Sequence, residues 1–96
     1  MSAPGTIQLP EVDDGSKTRG DRWIVTVFDN EVNTYEEVMA ILMIATRCSA
    51  DEAYMEAWEV DHLGKSVVHC AGQEECADAA AIIATIGIRV EVSCEA

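Results

Sequence analysis

The sequence predicts an α+β fold: one small domain in which three helices pack on one face of a three-stranded antiparallel sheet. Three observations carry this. The 96-residue length fits a single domain. Two helix-opening capping patterns, Thr34 with Glu37 and Ser49 with Glu52, stand close together between two β-rich runs. A third helical period and a final alternating run complete the order β-α-α-β-α-β.

Residues 1–20 hold both prolines and three of the six glycines, with no hydrophobic period. They are expected to form a flexible N-terminal tail, leaving residues 21–96 as the domain. Trp23–Phe28 is β-branched and aromatic, and its near-continuous apolarity predicts a strand buried on both faces. Residues 29–33 break that strand with loop formers. Behind Thr34, Val38, Ile41, Leu42 and Ala45 recur at helical spacing, predicting a helix over 35–46. Behind Ser49, Ala53, Met55, Ala57 and Val60 predict a second helix over 50–61, ended near Gly64. So short a turn between them predicts a helical hairpin. A strand follows over 65–70. Cys76, Ala79, Ala80 and Ile83 then mark one stripe of a helix over 73–86, with Gly87 as its C-cap. The alternation of residues 88–92 predicts a half-buried last strand.

Charge narrows the function. Six basic residues face eighteen acidic ones, for a net charge of −12, and fifteen of the acids belong to the domain. That balance argues against nucleic acid and anionic membrane as partners, because both require clustered cations. It favours cationic partners, or ones carrying an ammonium group. The first residues show no export signal, and no apolar run reaches the ~20 residues of a spanning helix. A cytoplasmic location is therefore expected, with the four cysteines reduced and largely buried.

The most polar concentration in the domain is the loop holding Asp29, Asn30, Glu31 and Asn33. These acceptors suit a cation or an ammonium with three N–H donors. They equally suit a structural task, capping the first helix and shaping the turn. Asp61 ends an otherwise apolar stripe of the second helix, where the helix dipole disfavours an anion. A metal is not expected. His62, His69, Cys70 and Cys76 are the only soft ligands near one another, and His69 and Cys70 point to opposite faces of a strand. No nucleophile motif or Gly-rich phosphate loop is present, so a binding module without a cofactor is expected rather than an enzyme.

Two segments resemble the ClpS adaptor family. One is the run 23–38, from Trp23 through Asp29-Asn30 to Val38. The other is the run 55–68, from Met55 through Val60-Asp61-His62 and Gly64-Lys65 to Val68. The resemblance implies a non-enzymatic adaptor. It would recognise the N-terminal residue of N-degron substrates, usually Phe, Tyr, Trp or Leu. It would deliver them to a Clp AAA+ unfoldase–protease by docking on the N-terminal domain of a ClpA- or ClpC-type unfoldase. It further implies that Asp29, Asn30 and Asp61 bind the α-amine. Asn33, Tyr35, Val38, Ala57, Val60 and Ile88 would line the side-chain pocket, and Glu74 would contact the unfoldase. The chain departs from the family pattern at four places. The Asn-Asp order is inverted as Asp29-Asn30, and Asp61 stands where a histidine is usual, with His62 one place later. Ala57 replaces a methionine, and Ala79 replaces a base. A divergent member that docks on the unfoldase without reading ordinary N-degrons is the alternative.

Overall fold

Trp23, Val25 and Val27 are buried, whereas Ile24, Thr26 and Phe28 alternate with them and are half-buried. The strand they form is thus covered by helices on one face only. The computed structural model describes residues 7–8 and 22–95. Its elements are β1 (Ile7–Gln8), β2 (Trp23–Phe28), α1 (Tyr35–Thr46), α2 (Ala50–Leu63), β3 (Lys65–Ala71), α3 (Gln73–Ala84) and β4 (Val90–Cys94). The sheet order is β1-β4-β2-β3, with β2 antiparallel to both β3 and β4. The three helices pack against the face carrying Trp23, Val25 and Val27.

The expectation that the first strand is buried on both faces is therefore corrected. Its apolarity has another explanation on the open face. The Arg89 guanidinium lies 4.1 Å from the centre of the Phe28 ring, and Lys65 Nζ lies 6.0 Å from it. Long basic side chains cover the ring where no helix does. A second addition concerns residues 1–20. Ile7–Gln8 form a short strand parallel to β4, with Ile7 opposite Val90 and Gln8 opposite Glu91. The other residues of the expected tail lie outside the described residues.

Thr34 and Glu37 form the expected reciprocal capping box at α1. Ser49 Oγ accepts from the Glu52 N–H at 3.1 Å and opens α2. α2 runs to Leu63, two residues beyond the expected end, and Gly64 caps it at φ +90°. Asp61 and His62 therefore sit inside its last turn. Met55 is 62% exposed and off the core face, against expectation. α3 ends at Ala84, and a turn through Gly87 leads to β4, which begins two residues later than expected. Ile88 lies just ahead of that strand and is still buried.

The core runs from Val38 and Leu42 of α1 through Ala53, Ala57 and Val60 of α2 to Cys76, Ala79, Ala80 and Ile83 of α3. Of the four cysteines only Cys76 is buried, donating to the Trp23 carbonyl at 3.4 Å; Cys70 and Cys94 are exposed. The expectation of largely buried cysteines is corrected, because Cys70 falls on the open face of β3 and Cys94 at the sheet's end. Among the described residues, no helix is long and apolar enough to cross a membrane, and no group of three or more ligating side chains could hold a metal.

Candidate functional site

The end of β2 is tied to the end of α2. The Asp29 N–H donates to the Gly64 carbonyl at 2.9 Å, across the junction between α2 and β3. This bond brings Asp29 to the corner occupied by the last turn of α2, which carries Asp61. Tyr35, the first residue of α1, senses both acids. Its pKa is raised by burial first, then by the Asp61 charge, Tyr54, a hydrogen bond to Asp61 and the Asp29 charge. The phenol therefore stays protonated and can donate.

His62 adjoins the same phenol. Its Nδ1 lies 3.0 Å from the Trp58 carbonyl oxygen, 3.4 Å from the Tyr35 hydroxyl and 3.5 Å from Asp61 Oδ2. A carbonyl only accepts, so Nδ1 carries the hydrogen and cannot accept from Tyr35. This assignment rests on the hydrogen-bond partners. The Nδ1–H can instead donate to the Tyr35 hydroxyl, and the exposed Asp61 carboxylate acts on that phenol by raising its pKa. The corner therefore presents acceptors, two of them carboxylates, around a neutral phenol.

The neighbouring asparagines are used differently. Asn30 Oδ1 accepts from the Val32 N–H at 3.2 Å and the Asn33 N–H at 3.1 Å, and Asn30 Nδ2 donates to Asn33 Oδ1 at 2.8 Å. Its carbonyl lone pairs are spent on the turn. Asn33 Nδ2 donates to the Ile86 carbonyl at 3.0 Å and to Glu37 Oε1 at 3.1 Å. It thereby pins the β2–α1 loop to the turn before β4. The Thr34 N–H, foremost, and Asn33 hold the Glu37 carboxyl below its ordinary pKa. Asp29 takes no part in this network. The turn-shaping task thus falls to Asn30 and Asn33.

Val38, Ala57, Val60 and Ile88 belong to one buried cluster, each 6% exposed or less, and Tyr35 packs against it. These positions are part of the general core, against which Tyr35 packs as one of several partly buried residues. Glu74 lies elsewhere. It is exposed in the first turn of α3, beyond the far end of β3, on the order of 20 Å along that strand from Gly64. Ala79, where the family has a base, is buried in the core.

Sequence reasoning missed an aromatic ridge. Tyr54 and Trp58 are 51% and 41% exposed on α2. The rings of Tyr35 and Tyr54 are 5.9 Å apart, and His62 stacks on Trp58 at 4.2 Å and 13°. The available signal was the spacing of 54, 58 and 62, which recurs every four residues along the flank of the face carrying Ala53, Ala57 and Val60.

The family profile described as "ATP-dependent Clp protease adaptor protein ClpS" matches residues 18–90, most of the chain. The chain belongs to the ClpS family. A curated relative, the E3 ubiquitin-protein ligase ubr-1 of Caenorhabditis elegans, is 27% identical over 77 residues. The match takes in 76% of this chain but spans only 4% of that ligase. The solved structure of Agrobacterium tumefaciens ClpS2 bound to L-phenylalaninamide superposes with a TM-score of 0.74 at 16% identity. It covers 80% of this chain and 100% of that one, which establishes the shared fold. ClpS is an adaptor family rather than a catalytic one.

Proposed function

We propose that this protein is an adaptor that binds the free N-terminus of substrate proteins and hands them to a Clp AAA+ unfoldase in the cytoplasm. The observation that supports the reading is the acidic corner: the Asp29 N–H bonds the Gly64 carbonyl at the end of α2, and the charges of Asp61 and, least, Asp29 both act on Tyr35. An α-ammonium has three donors, and charge-assisted bonds are roughly twice as strong as neutral ones. Asp29 and Asp61 supply anionic acceptors, while Asn30 holds the loop that presents Asp29. The first side chain, bulky and apolar, would lie against Tyr35, Val38, Ala57, Val60 and Ile88, with Asn33 at the rim. The ClpS2 relative, whose ligand is an aromatic amino-acid amide, supports this choice. Glu74, exposed on α3 away from the corner, would contact the N-terminal domain of a ClpA- or ClpC-type unfoldase and leave the amine site open.

The second reading is a regulator that docks on the unfoldase without reading N-termini. Its supporting observation is the near-complete burial of Val38, Ala57, Val60 and Ile88, which leaves little of their surface for a bulky first residue to contact.

Fluorescence anisotropy separates the two. Labelled peptides would differ only in the first residue: Phe, Tyr, Trp, Leu, Ile, Val, Met, Arg or Glu, with acetylated Phe as control. The adaptor reading expects apolar-first peptides to bind and acetylation to abolish binding. No binding across the panel, together with capture of a Clp N-terminal domain, would establish the regulator instead.

A further inference from the structure

The ridge on α2 continues directly from the acidic corner. Tyr54, Trp58 and His62 share one stripe, and Tyr35 joins its flank through Tyr54 and His62. Asp51 lies on the same stripe one turn before Tyr54 and Met55, and Asp61 adjoins His62. α2 carries five acids and no Lys or Arg. An exposed apolar ridge alone would suit many occupants. Ring faces flanked by carboxylates suit a cation, because the aromatic quadrupole and the anions attract the same charge.

We infer that this ridge is a second subsite, which takes an Arg or Lys side chain at the second or third residue of the bound peptide. The inference rests on the adaptor reading and adds a specificity to it. Spacing supports the assignment. Trp58 lies three residues before Asp61, about 4.5 Å along the helix, and Tyr54 seven residues before it, about 10.5 Å. An extended peptide advances about 3.3 Å per residue. With its amine at Asp61, its second residue falls beside Trp58 and its third, about 6.6 Å along, between Trp58 and Tyr54, where a long basic side chain reaches either ring. Charge complementarity points the same way, since the chain carries a net charge of −12.

That overall charge would favour any cationic peptide, so the test must isolate the rings. Peptides beginning Phe-Arg, Phe-Ala and Phe-Glu, identical thereafter, are titrated against the full chain at fixed salt by anisotropy. The expected Phe-Arg preference over Phe-Ala is about three- to fivefold, the range of an exposed cation–π contact. The ratio of the two affinities is the readout. Trp58→Ala is expected to bring it close to one, and Trp58→Phe to retain part of it. Tyr54→Ala, tested with Arg at the third residue, gives an independent loss should Trp58→Ala melt early. A ratio near one in the parent chain, or one unchanged in both ring variants, overturns the subsite and leaves the adaptor reading standing. Failure of every free-amine peptide, Phe-Ala included, overturns both.

Discussion

Asp61 is an anion in the last turn of α2, where the backbone carbonyls already concentrate negative charge. Such a placement weakens a helix by a few tenths to about 1 kcal/mol, a cost that amine binding would offset on the proposed reading. Replacing it separates the two effects. Asp61→Asn keeps the shape and removes one charged acceptor, worth about 1.5–3 kcal/mol to a hydrogen bond. Affinity for a Phe-first peptide is expected to fall roughly 10- to 100-fold. The melting temperature should hold or rise, because an anion leaves a helix C-terminus. Equal affinity with the parent would remove Asp61 from the amine site. Glu56 is the other costly acid. Its Oε1 is buried without a hydrogen-bond partner among the described residues, and burial, then Glu52 and Glu59, push its pKa from 4.5 up to about 7. Between those two values the folded chain holds a proton that the unfolded chain has released, so stability falls as pH rises through that window. The full displacement would be about 3 kcal/mol, and partial exposure reduces it to about 1. Glu56→Gln is therefore expected to raise the melting temperature by about 5 °C at pH 8 and hardly at pH 4. Parallel melts at both pH values check this, and a gain independent of pH would exclude the titration as its cause.

At the scale of the element, the helix starts and stops place the site. The capping box at Thr34 fixes where α1 begins, hence that Tyr35 is its first residue and faces α2. Gly64 at φ +90° turns the chain sharply out of α2 and leaves its carbonyl aimed at the Asp29 N–H. α1 ends differently. Arg47 caps it in the left-handed conformation at φ 61°, where a side chain is strained and glycine is not. Arg47→Gly is expected to stabilise by about 0.5–1 kcal/mol, read as a higher urea midpoint at unchanged slope. A lower midpoint would mean that the Arg47 side chain holds α1 in place. The helix starts at Thr34 and Ser49 and the stop at Gly64 were legible in the sequence; the left-handed cap at Arg47 was not. Capping residues, glycines and apolar periods gave the order and the bounds of the elements to within about two residues, because they act locally. What escaped depended on tertiary placement. The open face of β2 reads as buried because basic stems cover Phe28. The strand Ile7–Gln8 carries no period and exists through its pairing with β4. At the candidate site, residue types suggested the acidic loop, yet the division of labour inside it was not readable. That Asn30 and Asn33 build the turn while Asp29 stays outside their network depends on hydrogen bonds, not composition.

At the scale of the whole molecule the acidity opposes folding and, on the adaptor reading, favours a cationic ligand. The domain's fifteen acids face four bases. The described residues pair few of them: Arg89 with Glu91 at 2.6 Å, His69 with Glu75 at 2.8 Å and His62 with Asp61 at 3.5 Å. All three pairs involve exposed groups and contribute little. The radius of gyration is 12.8 Å, close to the screening length of about 10 Å at 0.1 M salt. At that ionic strength acids on different elements still repel one another; at 1 M, where the length is about 3 Å, only neighbours do. Raising NaCl from 0.1 to 1 M is therefore expected to raise the melting temperature by about 5 °C, on the order of 1 kcal/mol. The same change should weaken a cationic peptide, because the field that destabilises the folded chain is the one that attracts the ligand. Melts and anisotropy titrations over one salt series test both, and their opposite signs are the diagnostic. Some salts also stabilise by exclusion from the protein surface, so an equal rise in sucrose serves as the control. Sucrose should raise the melting temperature without loosening the cationic peptide. If NaCl strengthened both folding and peptide binding, hydrophobic contact would outweigh charge in this complex, and the carboxylates at the corner would not be its main determinant.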